Sequence, residues 1–488
     1  MPATLADLWY ERARVHARDL AVDDGTVRLS WQGLLEAAGA AAERLRAVGA
    51  GPGDVVVLQA RNTTAWVVVA GGVQLLGATL APLGAEEPAP ARREYAERLG
   101  ARVVVSEAPA VGELRLAAVW EPADDRARSA PPPPPAPRRG PAVVLGTSGT
   151  AGHRSTVAME HGVLLRLYAD VAGMLDVDHR DRLLGVVPLA HSFGFNGLLV
   201  IALLTGASLR LVPDRDHRAL AGVVRESAAT IVAGPPALLH DLVASVRAGG
   251  DLGPQVRLFM TGATEIRPGA LLPLAAEAGI PRVSAGYGLT QTCGTVAICP
   301  DIGRTPDGVH GPMTVVPGVE VLVTDALGRP APTGERGRVL TRGYHVAVPT
   351  DRDGWLATGD EGHLHPDGSL CVTGRVDDQL VVSGFNVDPA RVELALERSA
   401  QVARAAVVGV PDERRGHRLV GVVVPRAELE GAGRDDAAVL AEARAVLAGY
   451  EVPDSLVWVD ALPHTTTGKL SRAGVRALLA RLSTEAQR

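Results

Sequence analysis

Apolar runs alternate with helix-like stretches through the first 300 residues of this 488-residue chain. Trp31 to Val48 carries apolar residues at helical spacing, and Asp54 to Leu58 behind it is typical of a buried strand. Arg92 to Leu99 and then Arg102 to Val105 repeat this order. Because apolar strands separated by helices are typical of a parallel sheet with covered faces, the sequence predicts an α/β fold.

Further strands are predicted beyond the first two repeats, and several end in glycine or small residues. In open α/β sheets, ligands bind outside the carboxyl ends of such strands. After about Gly311, short alternating segments predict a β-barrel-like subdomain, and the last ~110 residues predict a small α+β unit. The predicted fold class is α/β, with a large N-terminal domain of flanked β-sheets, this subdomain and a small C-terminal domain. The further strands are Leu183 to Pro188, Ser208 to Pro213, Thr230 to Ala233 and Val256 to Met260.

Composition excludes several classes of protein. The net charge of −6 is spread along the chain, so no nucleic-acid surface is predicted. The apolar stretch from Trp66 to Leu83 contains glycines and a proline, which favours a buried helix followed by a buried strand over a membrane span. Cys293, Cys299 and Cys371 show neither a paired framework nor metal-ligand spacing, and the N-terminus lacks a signal region. We therefore expect reduced thiols in a cytoplasmic protein and assign no metal ligands.

A glycine- and hydroxyl-rich loop, Gly146 to Gly152, directly follows the apolar run Ala142 to Leu145. Backbone N–H groups and hydroxyls at the end of a strand are suited to wrapping a phosphate. A Walker A loop would need Gly-Lys-Ser/Thr where His153 follows Gly152, and a nucleophile elbow would need glycine in place of Thr150. Taken alone, the loop is either a phosphate loop or an ordinary surface turn.

Six further motifs follow this loop along the chain. With it, in this order and over almost the whole chain, they resemble the adenylate-forming superfamily of acyl-CoA synthetases, peptide-synthetase adenylation domains and beetle luciferases. The histidine of the first motif and the glycine-bearing fifth motif resemble acid:CoA ligases most. The six motifs are Pro188 to Phe195, Gly286 to Thr292, Gly354 to Asp360, Gly374 to Gln379, Ser383 to Val387 and Pro463 to Leu470.

The resemblance implies two domains and two chemical steps. The expected domains are residues 1–376, which bind nucleotide and acyl group, and residues 377–488, which rotate about a hinge at Asp377. A carboxylate would attack the α-phosphate of ATP to give an acyl-adenylate and pyrophosphate, and the thiol of CoA would then displace AMP. The implied substrates are thus ATP, a carboxylic acid and CoA.

The resemblance also implies roles for particular residues. Asp360 and Arg375 would bind the ribose, although a structural ion pair is the alternative. Lys469 would stabilise charge at the attacking carboxylate and α-phosphate, and His191 would lie beside the acyl group; a surface lysine and a buried histidine are the alternatives. Thr290 would donate a hydroxyl hydrogen bond to phosphate. The remaining nucleotide- or CoA-side residues are Thr147, Ser148, Gly149, Thr150, Gly262, Ala263, Gly286, Tyr287, Gly288 and Gly384.

Two residues depart from the family pattern. Ser155 stands where the phosphate loop usually has lysine, and Gln291 stands where the family has a magnesium-binding glutamate. Since magnesium prefers carboxylate ligands, both changes are expected to weaken the step that expels pyrophosphate. One hypothesis is that thioester formation is intact while adenylation is weak or lost, the acyl-adenylate being supplied preformed by a partner enzyme. An altered but adequate magnesium site is the alternative.

The sequence indicates the class of the acid substrate and favours one thiol, but it does not identify the acid. Ala190 to Asn196 contains no acidic residue to pair a substrate ammonium, so we expect a hydrophobic acid without an α-amino group. CoA is favoured as the thiol because the fifth motif and His191 resemble CoA ligases. Two other functions stay open: a free-standing enzyme that loads a carrier protein, and a non-catalytic nucleotide-binding relic.

Overall fold

The computed structural model describes residues 2–122, 140–146, 156–213, 220–262, 268–304, 312–375, 380–382, 385–387, 389–412, 416–426, 434–447, 449, 451–465 and 470–485. These form two compact units. The first comprises Met1–Leu322, Leu340–Leu356 and His365–Cys371, and the second comprises Val323–Val339, Ala357–Leu364 and Val372–Arg488. The predicted domain boundary at residues 376 and 377, with its hinge at Asp377, lies outside the described residues and stays a prediction.

A nine-stranded sheet in the first unit has parallel strands at its centre. Ala233 is paired with both Gly185 and Met260, and Gly262 is paired with Gly286. The carboxyl ends of these four parallel strands therefore lie along one edge of the sheet. In spatial order the strands are Thr314–Val315, Ala297–Cys299, Val283–Tyr287, Leu258–Gly262, Ile231–Ala233, Arg182–Gly185, Ser208–Leu211, Leu20–Asp23 and Arg28–Ser30.

A six-stranded sheet carries the strand that precedes the predicted phosphate loop. Its helices Trp31–Ala47 and Thr64–Leu76 pack very closely, because a Cβ at Gly72 would lie only 2.8 Å from the Cβ of Ala41. Small residues at the contact therefore let the two helices approach closely. In spatial order the strands are Leu114–Arg115, Val103–Ser106, Val55–Gln59, Thr79–Leu83, Pro141–Gly146 and Thr156–Glu160.

The helices of the first unit confirm the predicted alternation. Trp66 to Leu83 is a buried helix, Thr64–Leu76, followed by a buried strand, Thr79–Leu83. Among the described residues, no helix combines the length and apolarity needed to cross a bilayer. The other helices are Leu5–Val15, Trp31–Ala47, Ala89–Arg98, Leu116–Val119, His161–Met174, Ser192–Gly194, Ile201–Thr205, Leu220–Glu226, Pro236–Arg247 and Pro268–Glu277, with a π-helix at Phe195–Val200 and 3₁₀ turns at Thr290–Thr292 and Ile302–Arg304.

A four-stranded sheet occupies the region where short alternating strands are predicted. Its strands are neighbours in chain order: Val319–Thr324, Gly337–Gly343, Leu356–Leu364 and Leu370–Arg375.

The C-terminal part of the second unit is a sheet covered by helices on both faces. Successive residues of one strand alternate between two cores: Val407 packs with Val392 and Val439, whereas Val408 packs with Val475. From residue 389 the described elements run helix, strand, strand, helix, strand, helix, which fits the predicted small α+β unit. The strands are Leu380–Val382, Phe385–Val387, Val402–Asp412, Gly416–Pro425 and Ser455–Trp458, and the helices are Pro389–Glu397, Asp436–Arg444 and Arg472–Glu485.

Candidate active site

Glycines lie at the carboxyl edge of the nine-stranded sheet where backbone segments approach too closely for a larger residue. A Cβ at Gly262 would lie 2.8 Å from the carbonyl oxygen of Gly286, and a Cβ at Gly288 would lie 2.5 Å from that of Gly294. Larger side chains would therefore displace backbone at both positions. The structure brings Gly262, Gly286 and Tyr287 together at the ends of adjacent strands.

Several predicted site residues have no described position, so their roles stay predictions. The side chain of Arg375 is likewise not described, although its backbone ends the strand Leu370–Arg375. The residues outside the described part are Thr147, Ser148, Gly149, Thr150, Ser155, Ala263, Gly384 and Lys469.

The segment that carries His191 is held by Asn62, which follows the strand Val55–Gln59 of the six-stranded sheet. The Nδ2 of Asn62 donates to the carbonyl of Val187 at 2.7 Å, and its Oδ1 accepts from the N–H of Leu189 at 2.9 Å. One amide side chain thus satisfies a donor and an acceptor of a backbone segment that has left the sheet. The sequence analysis missed this role, because Asn62 lies 125 residues from Val187.

Asn62→Ala is expected to lower the free energy of unfolding by about 1–3 kcal/mol. The variant leaves the carbonyl of Val187 and the N–H of Leu189, both on buried residues, without their hydrogen bonds to Asn62. Urea denaturation followed by circular dichroism measures this loss. Gln32→Ala is the matched control, since among the described residues the Gln32 amide donates only to Glu36, one helical turn away, and a change below about 0.5 kcal/mol is expected. Equal losses in both variants would contradict the bracing role.

His191 is poised as a neutral imidazole. Its Nδ1 accepts from the N–H of Phe193 at 3.2 Å, so in the neutral ring the proton is on Nε2. Burial lowers the pKa of His191. The ring is therefore uncharged at neutral pH, with Nε2–H as its hydrogen-bond donor.

Gly194 allows the His191 segment to fold tightly. A Cβ at this position would lie 2.1 Å from the carbonyl oxygen of Pro188. The π-helix Phe195–Val200 follows at once, and π-helical turns occur frequently at functional sites.

The motif Gly286 to Thr292 ends in a compact turn. The buried Thr292 hydroxyl accepts from the N–H of Leu289 at 3.0 Å and donates to the carbonyl of the same residue at 2.9 Å. The N–H of Ala347 donates to the carbonyl of Gln291 at 2.9 Å. The turn therefore fixes the backbone of Thr290 and Gln291 at the end of the strand Val283–Tyr287.

A fully buried histidine lies two residues from Ala347 on the segment that contacts this turn. The hydroxyl of Thr341 donates to the carbonyl of Glu320 at 3.0 Å, so the Nε2 of His345, also 3.0 Å from that hydroxyl, must be the donor. The Nδ1 of His345 has no hydrogen-bond partner within the described residues. Burial lowers the pKa of His345 to about 4, because the charged imidazolium would lose its hydration there.

Acidification is expected to destabilise the protein through His345. Its native pKa of about 4 lies below the ordinary histidine value of 6.5, so its contribution to stability is complete above pH 6.5 and is lost as pH falls toward 4. By linkage the loss through this group is about 2 kcal/mol at pH 5. Urea unfolding at pH 7 and pH 5 measures it, with His345→Gln as the variant that lacks the titrating group. The same pH dependence in both proteins would refute the assignment.

Asp360 belongs to the second unit. Its side chain is buried, and its N–H donates to the Thr358 hydroxyl at 3.1 Å. Gly359, which precedes it, has φ +77°, a left-handed conformation that favours glycine. The sequence Thr-Gly-Asp thus holds the aspartate at a defined point of the strand Leu356–Leu364.

The described residues on either side of Lys469 are joined by a short β-bridge. His464 pairs with Leu470, and the N–H of Ser471 donates to the carbonyl of Pro463 at 2.9 Å. Behind this bridge, Arg472 forms an ion pair with the fully buried Glu393 and donates to the carbonyl of Val407 at 2.9 Å. The described residues on the C-terminal side of Lys469 are therefore anchored to the C-terminal sheet.

The chain matches known families over both parts. The profile of the AMP-binding enzyme family matches residues 9–348, and that of the AMP-binding enzyme C-terminal domain matches residues 391–469. The chain belongs to the AMP-binding enzyme family. The class predicted from the sequence, an AMP-forming acid–thiol ligase of the adenylate-forming superfamily, is confirmed.

Particular relatives agree with this class. The chain is 32% identical over 489 residues to 3-[(3aS,4S,7aS)-7a-methyl-1,5-dioxo-octahydro-1H-inden-4-yl]propanoyl:CoA ligase of Mycobacterium tuberculosis (strain ATCC 25618 / H37Rv), covering 91% of this chain and 93% of the relative. It is 29% identical over 482 residues to feruloyl-CoA synthase of an Amycolatopsis species, and the match covers 95% of this chain and 97% of the relative. The fold matches the crystal structure of the anthranilate CoA ligase AuaEII in complex with anthranoyl-AMP with a TM-score of 0.86, at 23% identity and 99% coverage of each chain.

Proposed function

We propose that this enzyme forms the CoA thioester of a hydrophobic carboxylic acid that lacks an α-amino group, through an acyl-adenylate. The observation that carries the proposal is the shared strand edge at which Gly262, Gly286 and Tyr287 lie. A nucleotide site at such an edge is typical of open α/β sheets. The two relatives named above, an octahydroindenylpropanoyl:CoA ligase and a feruloyl-CoA synthase, support CoA as the thiol.

In this proposal the residues divide between nucleotide, acyl group and thiol. Asp360 accepts hydrogen bonds from the ribose hydroxyls, and Thr290 donates to phosphate. Lys469 stabilises charge as the carboxylate attacks the α-phosphate. His191 presents Nε2–H beside the acyl group. The buried thiols fit a reducing compartment, which supports a cytoplasmic enzyme.

The residue at 291 fits magnesium poorly. Gln291 offers a neutral amide oxygen where a hard divalent cation prefers a carboxylate. Because Ser155 stands in place of the family lysine, the predicted phosphate loop also lacks that positive charge. We therefore propose that adenylation is the weaker half-reaction and that thioester formation from acyl-adenylate is intact, with a partner enzyme as the source of the adenylate.

One assay tests the function and its division into halves. Purified protein is given ferulate, indoleacetate or 2-succinylbenzoate, the acids named for relatives, with ATP, magnesium and CoA. Parallel reactions receive the synthetic acyl-adenylates and CoA. Thioester formed faster from the adenylates supports the half-reaction proposal, and equal rates refute it while leaving the ligase function in place.

Two further outcomes would replace the proposal. Thioester formed on a phosphopantetheinyl carrier protein but not on CoA would favour carrier loading. No thioester from any acid or adenylate, with nucleotide still bound, would favour a non-catalytic relic.

A further inference from the structure

The turn after Gln291 ends in a strained residue. Cys293 has φ +51°, a left-handed conformation that is unfavourable for a residue with a side chain. Its side chain is buried, and burial raises the pKa of its thiol to about 12, so the thiol is inert. Strain of this kind persists only where the surrounding structure enforces it.

Two side chains from distant elements enforce it. The hydroxyl of Tyr168 and the Nδ2 of Asn196 each donate to the carbonyl of Cys293 at 2.9 Å. Tyr168 comes from the helix His161–Met174 and Asn196 from the π-helix Phe195–Val200. We call these two side chains and the carbonyl that they share the Cys293 clamp.

Gly294 makes room for the clamp. It has φ +99°, and a Cβ at this position would lie 2.5 Å from the Tyr168 hydroxyl and 3.3 Å from the Asn196 Nδ2. The turn closes through the N–H of Gly294, which donates to the carbonyl of Leu289 at 2.8 Å. The carbonyl that the clamp holds therefore fixes the whole turn that bears Thr290 and Gln291.

The clamp is a poor device for stability alone. The Oδ1 of Asn196 is buried and has no hydrogen-bond partner within the described part of the chain, and its second donor direction meets only the sulfur of Met159 at 3.5 Å. A buried amide oxygen without a hydrogen-bond partner carries a free-energy cost of desolvation, which an apolar residue of similar size would avoid. The contribution of Asn196 is therefore geometric, because its Nδ2 fixes the position of the Cys293 carbonyl.

We propose that Tyr168 and Asn196 are positioning residues for nucleotide binding and adenylation. By holding the Cys293 carbonyl they keep Thr290 and Gln291 where phosphate oxygens bind. The inference rests on the proposed function. Because Asn196 continues the segment that begins at His191, the clamp also links the acyl side of the site to the phosphate side.

Tyr168→Phe and Asn196→Leu test the inference, since each removes one donor to the same carbonyl. Each is expected to weaken binding of magnesium-ATP and of AMP by about tenfold in calorimetry, the equivalent of one hydrogen bond. The rate of CoA thioester formation from supplied feruloyl-adenylate, at saturating adenylate, should fall less than about twofold.

Thr295→Val is the matched control. The Thr295 hydroxyl is the other partner of the Tyr168 hydroxyl, at 3.2 Å, so this variant removes a buried hydrogen bond but spares the Cys293 carbonyl. We expect a comparable loss of thermal stability with unchanged nucleotide affinity.

Three results separate the outcomes. Unchanged nucleotide affinity in folded Tyr168→Phe and Asn196→Leu, or the same loss in Thr295→Val, overturns the positioning role. Wild-type protein that binds nucleotide but forms no thioester overturns the proposed function alone, since the affinities still test the clamp. Wild-type protein that binds neither nucleotide overturns both.

Discussion

Lys469→Met is expected to slow acyl-adenylate formation by about 10²–10³-fold, the effect typical of removing one preorganised charge or donor from a developing anion. Attack of a carboxylate on the α-phosphate brings two anionic groups together, and Lys469 is the proposed cation between them. The thioester step proceeds on an adenylate already formed and does not need that cation. Pyrophosphate release measures the first step, and thioester formation from synthetic adenylate measures the second.

Lys469→Arg serves as its control. Arginine keeps the charge but replaces a compact ammonium with a planar fork, so partial activity is expected. If Lys469→Met lowered both half-reactions equally, the lysine would not act in adenylation specifically. If it lowered neither, the assignment of Lys469 from its motif would be wrong.

Gln291→Glu is expected to have the opposite effect, raising the rate of adenylation by about 10–100-fold, in line with the effects of changing groups that support a metal site. A carboxylate at this position supplies the charge that magnesium prefers. The backbone at Gln291 is already fixed by its hydrogen bond from Ala347 and by the Thr292 hydroxyl, so the new side chain starts from an ordered turn. Pyrophosphate release at several magnesium concentrations measures the gain.

Gln291→Met is the control, because it has similar length without an oxygen ligand and should not gain activity. Adding Ser155→Lys to Gln291→Glu should increase the rate further, since it restores a cation beside the departing phosphates. A Gln291→Glu enzyme no faster than wild type would favour the alternative, in which the present magnesium site is adequate.

Local sequence predicted some elements well and misplaced the ends of others. The helix and strand predicted for Trp66 to Leu83 are confirmed, because apolar periodicity, glycine and proline act locally there. The predicted strand Leu183 to Pro188 ends instead at Gly185, since Val187 and Leu189 bond to the Asn62 amide rather than to a neighbouring strand. The predicted strand Val256 to Met260 is Leu258–Gly262, because pairing of Gly262 with Gly286 extends it past the apolar run.

Candidate site residues were readable where a motif is contiguous. Glycines, hydroxyls and charged residues at fixed spacing along one loop predict nucleotide chemistry whatever surrounds them, as in Gly286 to Thr292. Asn62, Tyr168 and Asn196 escaped notice because their partners lie 97 to 125 residues away. The only sequence signal for Asn196 was an amide within an otherwise apolar run.

The sequence by itself determined the family, the α/β class and the departures at Ser155 and Gln291, because these depend on residue types at fixed spacing. Only the tertiary structure decided which side chains hold the chemical groups in place. It showed that Cys293 is strained and clamped, that His345 is buried without a partner for Nδ1 within the described residues, and that Asn62 braces the His191 segment. Such contacts join residues through packing of separate elements, and spacing along a chain does not encode which distant side chain reaches a given carbonyl.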